Sequence, residues 1–148
     1  MKSARRRSRE LALQALYAWQ LSGEGAAGLQ TQLAQSKEFG KADSKYFSRL
    51  LEGTIGDAGA LEGLIAPLLD RKPKELSPVE RGILLLATYE LKNAPDIPYR
   101  VVINEAVELA KEFGGTDGHK YVNGVLDKAA GDLRAVEVQA RQAARRAE

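Results

Sequence analysis

The sequence has no cysteine and only one histidine among its 148 residues. Without cysteine there can be no disulfide framework and no thiolate chemistry, which is typical of a protein in a reducing cytoplasm. The lone His119 can form neither a catalytic triad nor a two-histidine metal site. Phosphate-binding loops, dinucleotide fingerprints and nucleophile elbows are also missing. We therefore expect no enzyme activity, no cofactor and no metal.

Long hydrophobic runs are missing as well. No apolar stretch approaches 18 residues, so we expect no membrane span. With 44% hydrophobic and 28% charged residues, the composition is that of a soluble globular protein. No stretch alternates like a strand between turns. We expect an all-α helical bundle of about seven helices in residues 1–133, with subdomains 1–70 and 77–133 and a basic, frayed or disordered tail at 134–148.

Positive charge is concentrated at the start of the chain, while the middle of the chain is net acidic. The first ten residues contain a single carboxylate, Glu10, and five basic residues: Lys2, Arg5, Arg6, Arg7 and Arg9. Three interpretations are open: a solvated helix end, a transit peptide, or a guanidinium cluster that binds phosphates. Arginines at a helix N-terminus oppose the helix dipole, and phosphate binding would explain why they are there.

Residues 4–21 follow a helical period, with a core face that includes Leu11, Leu16 and Trp19. Leu13 and Tyr17 lie away from that face. Two sizeable apolar groups off the core face indicate a second contact surface, which is either another helix of the fold or a separate protein. The residues alone leave both alternatives open.

A helix start follows the charged linker at 71–76. The segment Ser77-Pro78-Val79-Glu80 is a capping box with proline at the first helical position. The helix is expected to bury Val79 and to end near Asn93-Ala94-Pro95, because proline disfavours helix in the residue before it. Capping alone would account for Glu80.

Residues 97–130 read as two helices separated by Gly114-Gly115, where glycine accepts the left-handed backbone of a helix end. The first helix has an apolar stripe that ends at Phe113, and Thr116 or Asp117 can cap the second. The second helix carries a polar face opposite its apolar stripe, made of Asp117, Lys120, Tyr121, Gly124 and Lys128. Such a face could stack a base and hold phosphates, or it could simply be solvated.

Four segments together resemble the NusB family of bacterial transcription antitermination factors. They are RRRSRELALQALYAWQL, SPVERGILLLATYEL, IPYRVVINEAVELAKEFG and HKYVNGVLDKAA, and the resemblance covers roughly residues 1–130. Some RNA-cytosine methyltransferases carry the same fold as an N-terminal domain. Because these 148 residues include no cofactor-binding domain, we expect the stand-alone factor. The alternative is an accessory domain or protein-binding adaptor associated with an RNA-modifying enzyme.

The resemblance implies a NusB-like fold and a cytoplasmic protein that binds single-stranded boxA RNA of rRNA leader transcripts. It also implies joint binding with NusE, a ribosomal protein, within the RNA polymerase antitermination complex. Carried over by position, the RNA-binding residues are Lys2, Arg5, Arg6, Arg7, Arg9, Asp117, Lys120, Tyr121 and Asn123. Tyr17 and Glu80 match the family's NusE interface, and the off-stripe placement of Leu13 agrees with that assignment.

Overall fold

The structure is a computed structural model that describes residues 2–115 and 117–147. Within those ranges there are eight α-helices and no strand, which confirms the all-α prediction with one helix more than the expected seven or so. The helices are α1 (Ala4–Ser22), α2 (Ala26–Leu33), α3 (Ser44–Gly56), α4 (Ala58–Ile65), α5 (Pro78–Asn93), α6 (Tyr99–Phe113), α7 (Gly118–Leu133) and α8 (Ala135–Arg146). In the described ranges, no helix is both long enough and apolar enough to cross a bilayer.

Side-chain caps begin three of the helices. Ser3 accepts a hydrogen bond from a backbone N–H at the start of α1, and Asp43 does the same at the start of α3. The predicted N-cap opens α5, where Ser77 Oγ accepts from the Glu80 N–H at 3.1 Å. The Glu80 carboxylate accepts from the Ser77 hydroxyl at 3.0 Å, whereas in a capping box it would accept from the Ser77 backbone N–H. Each cap satisfies a backbone donor that a helix start leaves without a partner.

The prediction that a left-handed glycine ends α6 is wrong. Gly114 has φ −90° and ψ 178°, which is extended backbone. Glycine is favoured there by a close approach instead, because a Cβ would lie 2.7 Å from the carbonyl oxygen of Ala110. The left-handed end occurs after α1, where Gly23 has φ +73°. Asp117 makes no side-chain cap at α7, and Thr116 lies outside the described residues.

Helix α5 lies at the centre of the bundle and packs against α1, α3, α4, α6 and α7. Its residues 82–88 are all buried, because the leucine run at 84–86 is apolar on every side of the helix. Gly82 lets α1 come close: a Cβ there would lie 3.0 Å from Leu13 Cδ1. Helices α6 and α7 pack against each other and against α5, and α7 carries the predicted polar face.

The end of the chain differs from the predicted frayed or disordered tail, since residues 135–146 form α8. Arg134, just before α8, is buried and donates hydrogen bonds to carbonyl oxygens of Leu91, Ala94 and Ile97 at 2.7 to 3.0 Å. Glu137 accepts from the Tyr99 backbone N–H at 2.7 Å. The pattern of apolar residues could not show this attachment, because the groups that make it are polar.

Candidate RNA and partner interface

Ion pairs tie the basic start of α1 to α6. Lys2 Nζ lies 2.6 Å from a Glu10 carboxylate oxygen and 3.0 Å from one of Glu112. The hydrogen bond with Glu10 raises the pKa of Lys2 above its ordinary value. Arg6 holds Glu105 with two hydrogen bonds of 2.8 and 3.2 Å. These contacts place the predicted phosphate-binding segment beside α6, and thereby on the α6–α7 side of the bundle.

Arg5 and Arg7 are the other two basic residues of the predicted phosphate-binding segment that solvent can reach. Arg7 pairs with Glu38, and the Arg5 guanidinium lies 4.4 Å from the centre of the Tyr46 ring. Ion pairs at such partly exposed positions contribute only about 0–1 kcal/mol. A phosphate can therefore take the place of a carboxylate partner at little cost to the fold.

Arg9 was predicted to bind RNA, and the structure contradicts that prediction. Its side chain is 4% exposed, and it pairs with Glu90, which is 2% exposed. The two hydrogen bonds of this pair are both 2.9 Å, and the Tyr46 hydroxyl also donates to the Glu90 carboxylate. The helical period turns Arg9 into the bundle, so its charge serves the core and cannot reach a phosphate.

The polar face of α7 is exposed at Asp117, Lys120, Gly124 and Lys128. Asn123, assigned to RNA by the family resemblance, is exposed as well. Lys120 and Asp117 form a solvent-exposed ion pair of 3.5 Å, one turn apart. Among the described residues, no atom lies within 4 Å of the place that a Cβ would take at Gly124, so the backbone of α7 is open there. A ligand could approach the helix closely at that point.

Tyr121 is half-buried, not freely exposed. The Arg71 guanidinium stacks over its ring at 4.2 Å from the centroid, and Arg71 is in turn paired with Asp70 at 2.7 Å. Burial raises the pKa of Tyr121 above its ordinary value. One face of the ring is thus occupied by a guanidinium, and a base that stacks on Tyr121 would have to use the remaining surface or displace Arg71.

An apolar recess of about 210 Å³ lies between α1, α5 and the end of α6. Tyr17 and Phe113 border it and are 43% and 40% exposed. Leu13, assigned to the partner interface, is 4% exposed and lines the recess from within. It packs against α5 at Gly82, so another helix of the fold, one of the two alternatives left open, covers it. Phe113 and the half-buried Val79 were both expected in the core. Phe113 is the last residue of α6 and directly precedes Gly114-Gly115. The two glycines were the sign in the sequence that the helix ends at Phe113.

The recess and the start of α7 lie beside the turn between α6 and α7, and Lys2 reaches the end of α6 next to this turn. Glu112, which pairs with Lys2, directly precedes Phe113 at the recess. Glu80 Oε2 lies 3.8 Å from the position that a Cβ would take at Gly118, the first residue of α7. Lys2 and the start of α7, both predicted for RNA, are therefore neighbours of the recess. Arg6 lies farther along α6 at Glu105, and Arg5 and Arg7 contact Tyr46 and Glu38 instead.

Sequence comparison identifies close relatives over nearly the whole chain. The family model described as "NusB family" matches residues 6–131. The transcription antitermination protein NusB of Paraburkholderia phytofirmans is 61% identical over 140 residues, which cover 95% of this chain and 97% of that protein. The NusB protein of Nitrosomonas europaea is 59% identical over 138 residues, covering 93% of this chain and 83% of that protein.

Solved structures share the fold. NusB of T. maritima superposes with a TM-score of 0.75 at 35% identity, covering 88% of this chain and 92% of that one. A crystal structure of antitermination factors NusB and NusE in complex with double-stranded RNA matches with a TM-score of 0.76 at 26% identity, covering 87% and 97% of the two chains. The family match over most of the sequence and the shared fold lead to one conclusion: the chain belongs to the NusB family.

Proposed function

We propose that this protein is an RNA-binding transcription antitermination factor. It binds the boxA element of nascent rRNA transcripts together with the ribosomal protein NusE, as part of an RNA polymerase antitermination complex. Relatives named as antitermination proteins, at 61% identity, support this function, as does a structural neighbour solved with NusE and RNA. The protein acts in the cytoplasm, on the transcript, and by binding alone, without catalysis.

The observation that carries the proposal is the meeting of two kinds of surface around the α6–α7 turn. One is basic and polar, with Lys2 beside the end of α6 and with Asp117, Lys120, Tyr121 and Asn123 in the first part of α7. Arg5, Arg6 and Arg7 continue the basic surface from Lys2 along the start of α1. The other is the apolar recess between Tyr17 and Phe113, with Glu80 beside it. A ligand on either surface would lie within reach of a ligand on the other.

The two surfaces suit different ligands. Exposed guanidinium and ammonium groups attract RNA phosphates, and this attraction weakens as salt rises. Tyr121 and the open backbone at Gly124 suit an unstacked base of a single strand. The apolar recess, with a carboxylate at its rim, suits a protein side chain next to a basic group. Binding of the protein partner adds a second RNA contact, so the pair holds RNA more tightly than either protein alone.

The alternative of an accessory domain for an RNA-modifying enzyme is not favoured. The Paraburkholderia phytofirmans relative is covered over 97% of its own length and is named for antitermination. A purely protein-binding adaptor makes a separate prediction, namely no RNA affinity above that for unrelated sequences. The same binding experiment therefore decides between the adaptor and the antitermination factor.

The test is the affinity for a single-stranded boxA RNA and for a scrambled strand of equal length, with and without NusE, at two salt concentrations. We expect a preference for boxA that grows when NusE is added. Equal, weak binding to both strands that is insensitive to NusE would overturn the proposal.

A further inference from the structure

A polar cleft of about 300 Å³ lies where α8 packs beside α6 and α7. Asn123, from the predicted RNA face of α7, forms part of its wall together with Asn104 of α6. The cleft is also lined by three arginines, one from α6 and two from α8: Arg100, Arg141 and Arg145. The two α8 arginines lie outside residues 6–131, the part of the chain that the family model matches.

Helix α8 is held firmly enough to position these arginines. The buried Arg134 side chain donates to the carbonyl oxygens that end α5, and Glu137 accepts from the first N–H of α6. Val138 packs against the core. Residues 134, 138, 141 and 145 follow one another at three- and four-residue steps, so they share one face of the helix. One face of α8 therefore anchors the first turn of the helix and places arginines in the cleft farther along the helix.

The charge in the cleft is unbalanced. None of Arg100, Arg141 and Arg145 forms an ion pair with a carboxylate of residues 2–115 or 117–147. Among the described residues that line the cleft, Asp127 is the one carboxylate. Three guanidinium groups against one carboxylate leave a positive site, and the two asparagine amides add neutral hydrogen-bond donors. This contrasts with the start of α1, where most basic groups already have carboxylate partners.

We propose that this cleft binds a backbone phosphate of the RNA and thereby extends the RNA surface from α7 onto α8. The inference rests on the proposed function, because Asn123 joins the cleft to the predicted RNA face. Guanidinium forks bind phosphate oxygens with paired, charge-assisted hydrogen bonds. Such contacts are made to the backbone and carry no sequence information. The cleft strengthens the hold on the strand, while the choice of boxA remains with the other residues.

The test compares Arg141→Gln and Arg145→Gln with Arg146→Gln. Arg146 is an exposed arginine of the same helix that does not line the cleft, so its variant removes one positive charge elsewhere on α8. Two RNA probes are used, a boxA element with flanking nucleotides on both sides and a scrambled strand of the same length. The dissociation constant of each complex is measured over a range of salt concentrations with NusE present. Circular dichroism confirms that each variant keeps its helix content.

We expect each cleft variant to reduce the slope of log affinity against log salt by about 0.7, the value for one lost phosphate contact on a single strand. The loss should be equal for both RNA probes, and Arg141→Lys should restore most of the slope. A slope for Arg141→Gln and Arg145→Gln equal to that of Arg146→Gln would overturn the inference. So would a cleft that binds inorganic phosphate while the RNA slopes stay unchanged.

The outcomes separate this inference from the proposed function. If the wild-type protein shows no preference for boxA over the scrambled strand, the proposed function fails, whatever the α8 variants do. If the preference is present but the cleft variants behave like Arg146→Gln, only the phosphate site fails.

Discussion

Arg9 and Glu90 form a two-pronged ion pair in the interior of the bundle and join α1 to the central helix α5. Arg9→Ala would leave the Glu90 carboxylate buried without its counter-ion. We expect the free energy of unfolding to fall by about 3–5 kcal/mol, as is typical when one partner of a buried pair is removed. Urea denaturation measures this free energy, and Arg146→Ala at the exposed end of α8 is the control. Equal stability of the two variants would contradict the structural role of Arg9.

Arg6 and Arg7 are partly exposed, and each is paired with a single carboxylate, so both can exchange that partner for phosphate. The double variant Arg6→Ala, Arg7→Ala should weaken boxA binding and lower the salt slope by about 0.7 per lost contact, the value for a single strand. Lys74→Ala with Lys92→Ala, two exposed lysines of other segments, removes the same charge and should leave the slope nearly unchanged. If both pairs of substitutions lower the slope alike, the RNA is not placed on α1.

Tyr17 and Phe113 expose apolar surface at the recess, so truncation there should affect a protein partner more than RNA. We expect Tyr17→Ala, Phe113→Ala and Glu80→Lys each to weaken NusE affinity by roughly tenfold or more, in the range of interface anchor residues. Titration of NusE in the absence of RNA measures this affinity. Leu21→Ala is a matched control, since Leu21 is 64% exposed on the same helix but lies outside the recess. Full NusE affinity in all three variants would remove the assignment.

If Tyr121 binds RNA by stacking on a base, its contribution to the affinity comes from the aromatic ring and not from the hydroxyl. Tyr121→Phe keeps the ring and should bind boxA nearly as well as the wild type, whereas Tyr121→Ala should lose about 1–3 kcal/mol of binding free energy. Fluorescence anisotropy with labelled boxA RNA measures both. A loss with Tyr121→Phe as large as that with Tyr121→Ala would assign the contribution to the hydroxyl instead.

Glu137 makes the stability of the contact between α8 and the start of α6 depend on pH. Burial opposes its charge, but the hydrogen bonds from the Tyr99 N–H and from Arg134 outweigh burial, so the pKa of Glu137 lies below its ordinary value. A lowered folded-state pKa contributes stability above the unfolded-state pKa and loses it as the pH falls through the folded-state value. We expect Glu137→Gln to be less stable than the wild type at pH 7, and the difference to shrink as the pH falls below about 4.

Thermal denaturation across this pH range measures the difference, with Glu75→Gln as the control, because Glu75 is exposed and has no ion-pair partner among the described residues. A difference between wild type and Glu137→Gln that stays constant with pH would show that the carboxylate charge is not what stabilises the attachment.

Local signals in the sequence correctly predicted the helices α1, α5, α6 and α7. Ser77 marks the start of α5, and Pro95 follows its end. These signals act within a few residues, so the sequence displays them directly. The division into subdomains near residues 71–77 stays a prediction.

The errors concern residues whose environment comes from distant parts of the chain. Arg9 is buried because Glu90, 81 residues later, neutralises it, and a charge count cannot show that. Leu13 packs inward because Gly82 leaves room for it. Tyr121 is half-covered because Arg71 stacks on its ring. Helical periodicity places a side chain on a face, but tertiary contacts decide what covers that face.

The attachment of α8 has a consequence for the order in which the fold is completed. The corner between α5 and α6 has its carbonyl groups satisfied by Arg134 and its first N–H by Glu137, which follow Ala94 and Tyr99 by 40 and 38 residues. A ribosome delivers the corner well before it delivers these partners. Until α8 has emerged, water must solvate the polar backbone of this corner. Closure of α8 over this corner therefore waits for residues that are synthesised well after the corner itself.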